Sequence, residues 1–356
     1  MTRRNDTVTY NEWIQTLQGE TAAESEIILP DYCPGILKLV QTNATVLLRS
    51  QSVRGDRAYV EGAVEFCVVY LSDTAEGLQC VTHQVPFSQT VQIRNEADTS
   101  QIRVHAKISY ANARALSPQK LYVKATVETI TNVFAPSTVT LLDEETAEKV
   151  EKKTESAILS DIINVSQKTL KMSDEIEITS APVSKIMRYE TRFRTTDKKI
   201  INNKMIVKAD MSLKITYIST DGHLYNQTAE FPISQVMEIG EADEQTICSI
   251  SYSVCDCHFN IKENADKSAV DCDLEINICA QCFQNEQIDI ITDAFSTKHH
   301  TECNHKPVCL QKVFCLDQNA DFKENIRLDG CTGISDIAVV PSIMSVGYDA
   351  DQKCVL

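Results

Sequence analysis

The sequence predicts a mainly β protein of tandem antiparallel β-sandwich or barrel-like modules with short helical turns. Three observations predict this fold class: a repeat spaced by 147 residues, runs of β-branched and aromatic residues with a two-residue period, and turn-forming residues between those runs.

The repeat is clearest in one strand. Residues 58–72 (AYVEGAVEFCVVYLS) return 147 positions later as residues 205–219 (MIVKADMSLKITYIS), with apolar side chains at the same alternate positions. Because successive side chains of a strand point to opposite faces, both copies have one apolar face. The flanking segments keep the register: 85–93 corresponds to 231–239, 34–40 to 181–187, and 120–127 to 267–274. One module has therefore been used twice.

The predicted elements follow in chain order. Strands are expected at 59–71, 102–110, 121–134, 206–218, 247–254 and 270–282, where β-branched and aromatic residues dominate. Turns are expected at 54–56, 72–73, 220–222 and 264–266, which are rich in Gly, Asp and Asn. Short helical turns are expected at 36–40 and 183–187.

The repeat also predicts the domain organisation. The expected parts are an N-terminal segment (1–24), a first β unit (25–135), a charged linker with a leading strand (136–170), a second β unit (171–284), and an inter-unit segment with the truncated start of a third unit (285–356). Within the linker region, residues 143–155 carry both signs of charge and few large apolar side chains.

Composition narrows the class of partner. The chain has 356 residues, 43% of them hydrophobic, and a formal net charge of -16. The acidic balance argues against a nucleic-acid or anionic-membrane partner. The sequence contains no apolar stretch of transmembrane length and no signal-peptide pattern, so we expect synthesis in the cytosol, no membrane insertion, and protein partners, with self-association through exposed strands as one possibility.

Motif searches predict no catalytic site and no cofactor. The sequence has no Gly-rich phosphate loop, no Gly-x-Ser-x-Gly and no His-Glu-x-x-His, and its ten glycines are scattered. A duplicated β module without such motifs favours binding or assembly over catalysis, so we do not expect an enzyme.

Cysteines form the one candidate site, because 11 of the 14 lie between Cys248 and Cys354. The candidate thiol or metal cluster is Cys255, Cys257, His258, Cys279 and Cys282. Alternation places Cys255 and Cys257 on one strand face but Cys279 and Cys282 on opposite faces, which does not describe a closed tetrahedral site. We therefore assign no metal, and three readings stay open: a structural metal, disulfides formed late or between chains, and reduced, partly buried thiols.

Several motifs carry a family resemblance. They are residues 29–40 (LPDYCPGILKLV), 59–70 (YVEGAVEFCVVY), 85–88 (VPFS), 115–127 (ALSPQKLYVKATV) and 293–298 (DAFSTK). Together they resemble the SPOCS-domain family, whose domains occur in tandem in SipL-like clostridial spore-coat morphogenetic proteins. The sequence lacks the LysM domain that follows the repeats in those proteins.

The resemblance implies a non-catalytic structural or interaction protein of spore coat or envelope assembly. The implied partners are other coat morphogenetic proteins, including a SpoIVA-like ATPase, and the implied location is the mother-cell cytoplasm followed by the forespore surface and spore coat. Two alternatives remain. A carbohydrate- or peptidoglycan-binding module would need an exposed aromatic platform, and Trp13 is the only tryptophan. A metal- or redox-responsive protein would use the Cys-rich second unit.

Overall fold

The computed structural model describes residues 2–4, 7–74, 77–93, 101–140, 150–240, 242–243, 245–264, 267–304, 323–330, 348–349 and 354–355. Over these residues the chain forms fifteen β-strands and no helix, which confirms the mainly β prediction. The early strands are β1 (Thr2–Arg4), β2 (Thr7–Ile28), β3 (Ile36–Arg54), β4 (Arg57–Ser72), β5 (Leu78–Gln92), β6 (Gln101–Ser117) and β7 (Lys120–Thr140). The later strands are β8 (Glu151–Glu177), β9 (Val183–Ile201), β10 (Lys204–Ser219), β11 (Leu224–Glu238), β12 (Ile247–Asn264), β13 (Lys267–Phe295), β14 (Tyr348–Asp349) and β15 (Cys354–Val355).

The strands pair antiparallel in two sandwiches with the same plan. In the first module the sheet β3-β4-β5 faces the sheet β1-β2-β7-β6, and in the second module β9-β10-β11 faces β12-β13-β8. The tyrosine that ends the repeated strand makes the same bond in each copy: Tyr70 Oη donates to Pro34 O and Tyr217 Oη donates to Ala181 O, both at 3.1 Å. Sequence repeat and structural repeat therefore coincide.

Each module has its own core. The alternate apolar residues of β4 and β10 are fully buried, including Phe66 and Tyr70 in the first module and Met211 and Leu213 in the second. Burying a large apolar side chain contributes roughly 1.5–3 kcal/mol, so the repeated strand is the central stabilising element of each sandwich.

The predicted helical turns at 36–40 and 183–187 are wrong, because both segments are the first residues of strands, β3 and β9. The reason is a β-bulge at an equivalent position in each copy. Val40 and Met187 are skipped in the pairing with β4 and β10, so the alternation slips by one residue. The apolar spacing then imitates the i, i+3, i+4 pattern of a helix.

The predicted domain boundaries remain a prediction. The boundary at 24/25 falls inside β2, which pairs with β7 along its length, and we therefore define the modules here by strands, β2–β7 and β8–β13. Within the predicted linker, residues 141–149 lie outside the described residues, and β8 begins at Glu151. The predicted start of a third unit at 334–338 also lies outside them.

The two modules pack through the outward face of the sheet β3-β4-β5. Cys67, Val69 and Cys80 on that face form a buried apolar cluster with Met187 and Ile218 of the second module. At the positions equivalent to Cys67 and Val69, 147 residues later, β10 carries Lys214 and Thr216. The part of this sheet around Cys67, Val69 and Cys80 is thus apolar on its outward as well as its inward face, whereas the copy carries a lysine and a threonine at the equivalent positions.

Leu47 on β3 extends this interface into the second core. Its side chain is fully buried and belongs to the apolar cluster of the second module rather than to that of its own. The equivalent residue of the second module is Arg194, whose side chain is 69% exposed and pairs with Asp210 at 3.0 Å. One module therefore supplies a core residue to the other.

Candidate binding cleft and buried thiols

A cleft of about 930 Å³ lies between the modules, within the size range of ligand sites. Its floor is the outward face of β3, β4 and β5, and its walls are β9 and β12. The lining residues are 42–45, 65, 67, 82–84, 186–192, 254 and 257–259.

Strand register sets the floor. Thr45, Glu65 and Gln84 lie side by side across the three strands, and all three line the cleft. Gln84 Nε2 donates to the Glu65 carboxylate at 3.1 Å and to Asp256 of the second module at 3.4 Å. Its side-chain oxygen accepts from Arg49 at 2.8 Å. This polar row fixes Glu65 and links the floor to β12.

The walls are two edge strands, β9 and β12, which contact each other through side chains rather than through backbone hydrogen bonds. The rings of Phe193 and Tyr252 stack with centroids 5.1 Å apart, and those of Tyr189 and Phe259 lie 5.4 Å apart at 59°. Thr195 Oγ1 and Tyr252 Oη are within hydrogen-bond distance at 2.9 Å. Such aromatic contacts stabilise the packing of the two sheets although β9 and β12 do not pair through their backbones.

Two buried polar atoms in the cleft have no hydrogen-bond partner among the described residues, the Asn43 Nδ2 and the Tyr189 hydroxyl. Asn43 Oδ1 is satisfied by Gln41 at 3.0 Å, so only its amino group lacks a partner. Glu65 and the Cys257 thiol lie near the Tyr189 hydroxyl, but neither meets it in hydrogen-bond geometry. Burial, and next the negative charge of Glu65, raises the pKa of Tyr189 far above its usual range, so this hydroxyl stays protonated. The cleft thus holds two hydrogen-bond donors without acceptors.

The charges along the rim are paired with one another. Arg188 and Glu190 lie 2.9 Å apart, Arg192 reaches the same Glu190 carboxylate at 4.0 Å, and His258 lies 3.2 Å from Asp256. Pairs at such a rim contribute little stability individually.

The candidate thiol cluster is divided among several surroundings. Cys257 and Cys282 face the second core, Cys255 and Cys279 are buried outside it, and His258 is exposed. Cys255 and Cys257 do not share a face as the alternation predicted, because a bulge between Val254 and Asp256 shifts the register. Burial raises the pKa of both Cys255 and Cys279, which keeps these thiols protonated. Over the part of the chain that is described, no three His, Cys, Asp or Glu side chains are grouped to hold a metal ion.

Thiol pairs are found instead, and sequence reasoning missed the partners. Cys282 lies opposite Cys248 on β12, with the two sulfurs 2.8 Å apart and both residues buried. The hydrogen bond between them lowers the pKa of Cys248, and the same bond followed by burial raises the pKa of Cys282.

Two further thiol pairs lie diagonally across neighbouring strands, since Cys257 is opposite Leu274 and Cys67 is opposite Thr82. A hydrogen bond with Cys272, and next burial, raises the pKa of Cys257. In the first module the sulfurs of Cys67 and Cys80 lie 3.8 Å apart in the interface between modules. The sulfurs of Cys248 and Cys282, and those of Cys67 and Cys80, are not joined in disulfides.

These features define a tandem-repeat protein in which two β-sandwich modules share an apolar interface and enclose a cleft. Comparison with protein families matches residues 35–116 and 182–262 to the family described as SipL, SPOCS domain. Two segments of the chain, one in each module, therefore match the SPOCS domain, which confirms the resemblance. No curated protein and no solved structure matches the chain.

The family indicates a sporulation-related role in protein–protein interaction, and it is not known for enzymatic activity. The part of the chain covered by the structure contains no helix with the length and apolarity to cross a membrane.

Proposed function

We propose that this chain is a non-catalytic structural protein of spore coat or envelope assembly that acts through protein–protein contacts of its repeated β modules. The observation that carries the proposal is the match of both repeats to the SipL SPOCS domain. In this proposal the protein is made in the mother cell, reaches the forespore surface, and binds other coat morphogenetic proteins, a SpoIVA-like ATPase among them.

An exposed apolar patch on the first module supports protein partners. Ile28, Tyr32 and Leu37 are 74%, 87% and 65% exposed, and they lie where β2 leads into β3. The equivalent residues of the second module, 147 positions later, are Glu175, Thr179 and Ser184. Since the second module folds with polar residues there, the fold does not require the apolar ones, and exposed apolar patches mark interaction sites.

The comparison of the two modules supplies the test. A tagged chain would be captured from sporulating cells and its partners identified by mass spectrometry, beside a variant carrying Ile28→Glu, Tyr32→Thr and Leu37→Ser. We expect the unaltered chain to retain coat morphogenetic proteins and the variant to lose them while its thermal melting is unchanged. A fluorescent fusion is expected to collect at the forespore surface.

Two results would contradict the proposal. One is capture that yields no coat protein from cells in which the coat is forming. The other is a fusion that stays evenly distributed in the mother cell throughout sporulation.

A further inference from the structure

The second module has a seam that the first module closes. In the first sandwich β3 runs close to β6, and Gln51 Oε1 on β3 accepts a bond of 2.9 Å from the backbone amide of Val104 on β6. In the second sandwich the equivalent strands β9 and β12 approach one another only over a short stretch. The cleft lies along this opening, with the sheet of the first module as its floor.

Both borders of the opening are edge strands. β9 pairs only with β10, and β12 pairs only with β13, so one side of each backbone faces away from its sheet. At the closed end of the opening, the thiols of Cys67 and Cys80 donate to the carbonyl oxygens of Met187 and Ile186. Beyond that point, β9 residues 189–192 line the cleft, and among the described residues their backbone pairs only with β10. Such an edge is a template for pairing with another chain.

The unpartnered donors indicate what an occupant must carry. Asn43 Nδ2 on the floor and Tyr189 Oη on the wall both need acceptor oxygens. Leaving buried donors without acceptors costs free energy, which an occupant with suitably placed oxygens would recover. The Phe259 ring, which also lines the cleft, offers an apolar contact.

We propose that the cleft between the modules binds an extended peptide segment of a protein partner, which lies along the β9 edge with its main-chain carbonyl oxygens accepting from Asn43 Nδ2 and Tyr189 Oη. A main chain supplies acceptor oxygens at regular spacing together with the donors and acceptors that pair with a strand edge. The inference rests on the proposed function and specifies one surface by which a partner is recognised.

The probe is a phage-displayed library of random linear peptides selected on the full chain. Enriched peptides are synthesised, and their affinities are measured for the unaltered chain and for Tyr189→Phe, Asn43→Leu and Thr45→Trp. Thr45→Trp fills the cleft from an exposed floor position. Tyr110→Phe is the matched control, since it removes a hydroxyl from an exposed tyrosine outside the cleft.

We expect each of Tyr189→Phe and Asn43→Leu to weaken peptide binding about threefold to tenfold, the usual range for one hydrogen bond. Thr45→Trp is expected to abolish binding without changing the melting temperature, and Tyr110→Phe to leave binding unchanged. Amide hydrogen exchange of residues 189–192 is expected to slow when peptide is bound, because a new strand would protect that edge.

Other results would overturn the inference. One is that no peptide is enriched, and another is that the peptides bind Thr45→Trp as well as the unaltered chain. A third is that peptides do not bind, whereas soluble glycan fragments bind the unaltered chain and not the three cleft variants. If coat proteins are captured equally by the cleft variants, the peptide site is refuted and the proposed function stands. If the unaltered chain captures none while selected peptides still bind in the cleft, the proposed function fails and the site stands.

Discussion

Replacing Tyr189 by phenylalanine should not destabilise the free protein, although it removes a hydroxyl from a buried position. That hydroxyl has no partner among the described residues, and an unsatisfied buried polar group costs roughly 1–3 kcal/mol. The substitution keeps the ring contact with Phe259. We expect the free energy of unfolding to be unchanged or to rise by up to about 2 kcal/mol, with a melting temperature several degrees higher at the upper limit.

Tyr217→Phe in the same module is the matched comparison. Its hydroxyl donates to Ala181 O at 3.1 Å, so its removal deletes a hydrogen bond and leaves a carbonyl without that donor. The expected cost is roughly 1 kcal/mol or more. Urea unfolding and calorimetry of both variants would measure the difference. If Tyr189→Phe destabilises the protein as much as Tyr217→Phe does, the Tyr189 hydroxyl is satisfied in the free protein and the argument from unpartnered donors is wrong.

Three further predictions concern the interface, the thiols and one turn. Leu47→Ala should destabilise the protein by roughly 2–5 kcal/mol and speed amide exchange in the second module. Arg194→Ala, at the equivalent position, should cost at most about 1 kcal/mol. Equal effects of the two substitutions in urea unfolding would refute the shared core. Oxidised glutathione should convert Cys248 and Cys282 to a disulfide with release of two reduced glutathione molecules, and closing this loop should stabilise the protein by about 3–4 kcal/mol. Peptide mapping that shows either cysteine joined to another partner would contradict this. Hydrogen bonds to the Asp221 carboxylate, first from a serine hydroxyl of the same turn, lower the pKa of Asp221 in the folded state. The carboxylate therefore stabilises the fold at pH values above the unfolded pKa of about 3.9, and this contribution is lost as the pH falls through the lower folded value. Melting curves below pH about 5 should therefore fall more steeply for the unaltered chain than for Asp221→Asn, and parallel curves would refute the assignment.

The sequence predicted the central strands well because each is long, alternates regularly and occurs twice. Two turns were predicted because each needs a glycine: Gly55 and Gly222 have φ of +59° and +82°, conformations that other residues rarely adopt. The turn between β9 and β10 was missed, since it uses Asn202 and Asn203 with positive φ rather than glycine. Asparagine tolerates this conformation, but it is a weaker signal in a sequence.

The thiol pairing could not be predicted, because one bulge decides it. Counting back from the turn that pairs Asn264 with Lys267 places Cys248 opposite Phe283. The bulge between Val254 and Asp256 shifts the register by one residue, so Cys248 faces Cys282 instead. Bulges have no reliable sequence signature in a run of this kind, and the pair became visible only in the folded chain.

The cleft was also beyond reach from the sequence, since it forms only where two modules meet. A partial signal was nevertheless present in β4, where Cys67 and Val69 interrupt the alternation that Lys214 and Thr216 preserve in β10. An apolar run on both faces is typical of a strand covered twice. The difference between the copies pointed to a covered face, but not to what covers it.

That difference between the copies also gives the tandem a direction. Only the first copy carries the apolar residues Cys67 and Val69 on its outward face, so the modules are not exchangeable along the chain. If the module order were reversed, the sheet face that carries Lys214 would have to pack against the neighbouring module, and Cys67 and Val69 would be exposed to water. Isolated halves should also differ: the first module alone would expose the face that its neighbour covers and tend to aggregate, whereas the second alone would lose the Leu47 side chain from its core. Divergence at a few positions has converted two similar domains into one ordered pair.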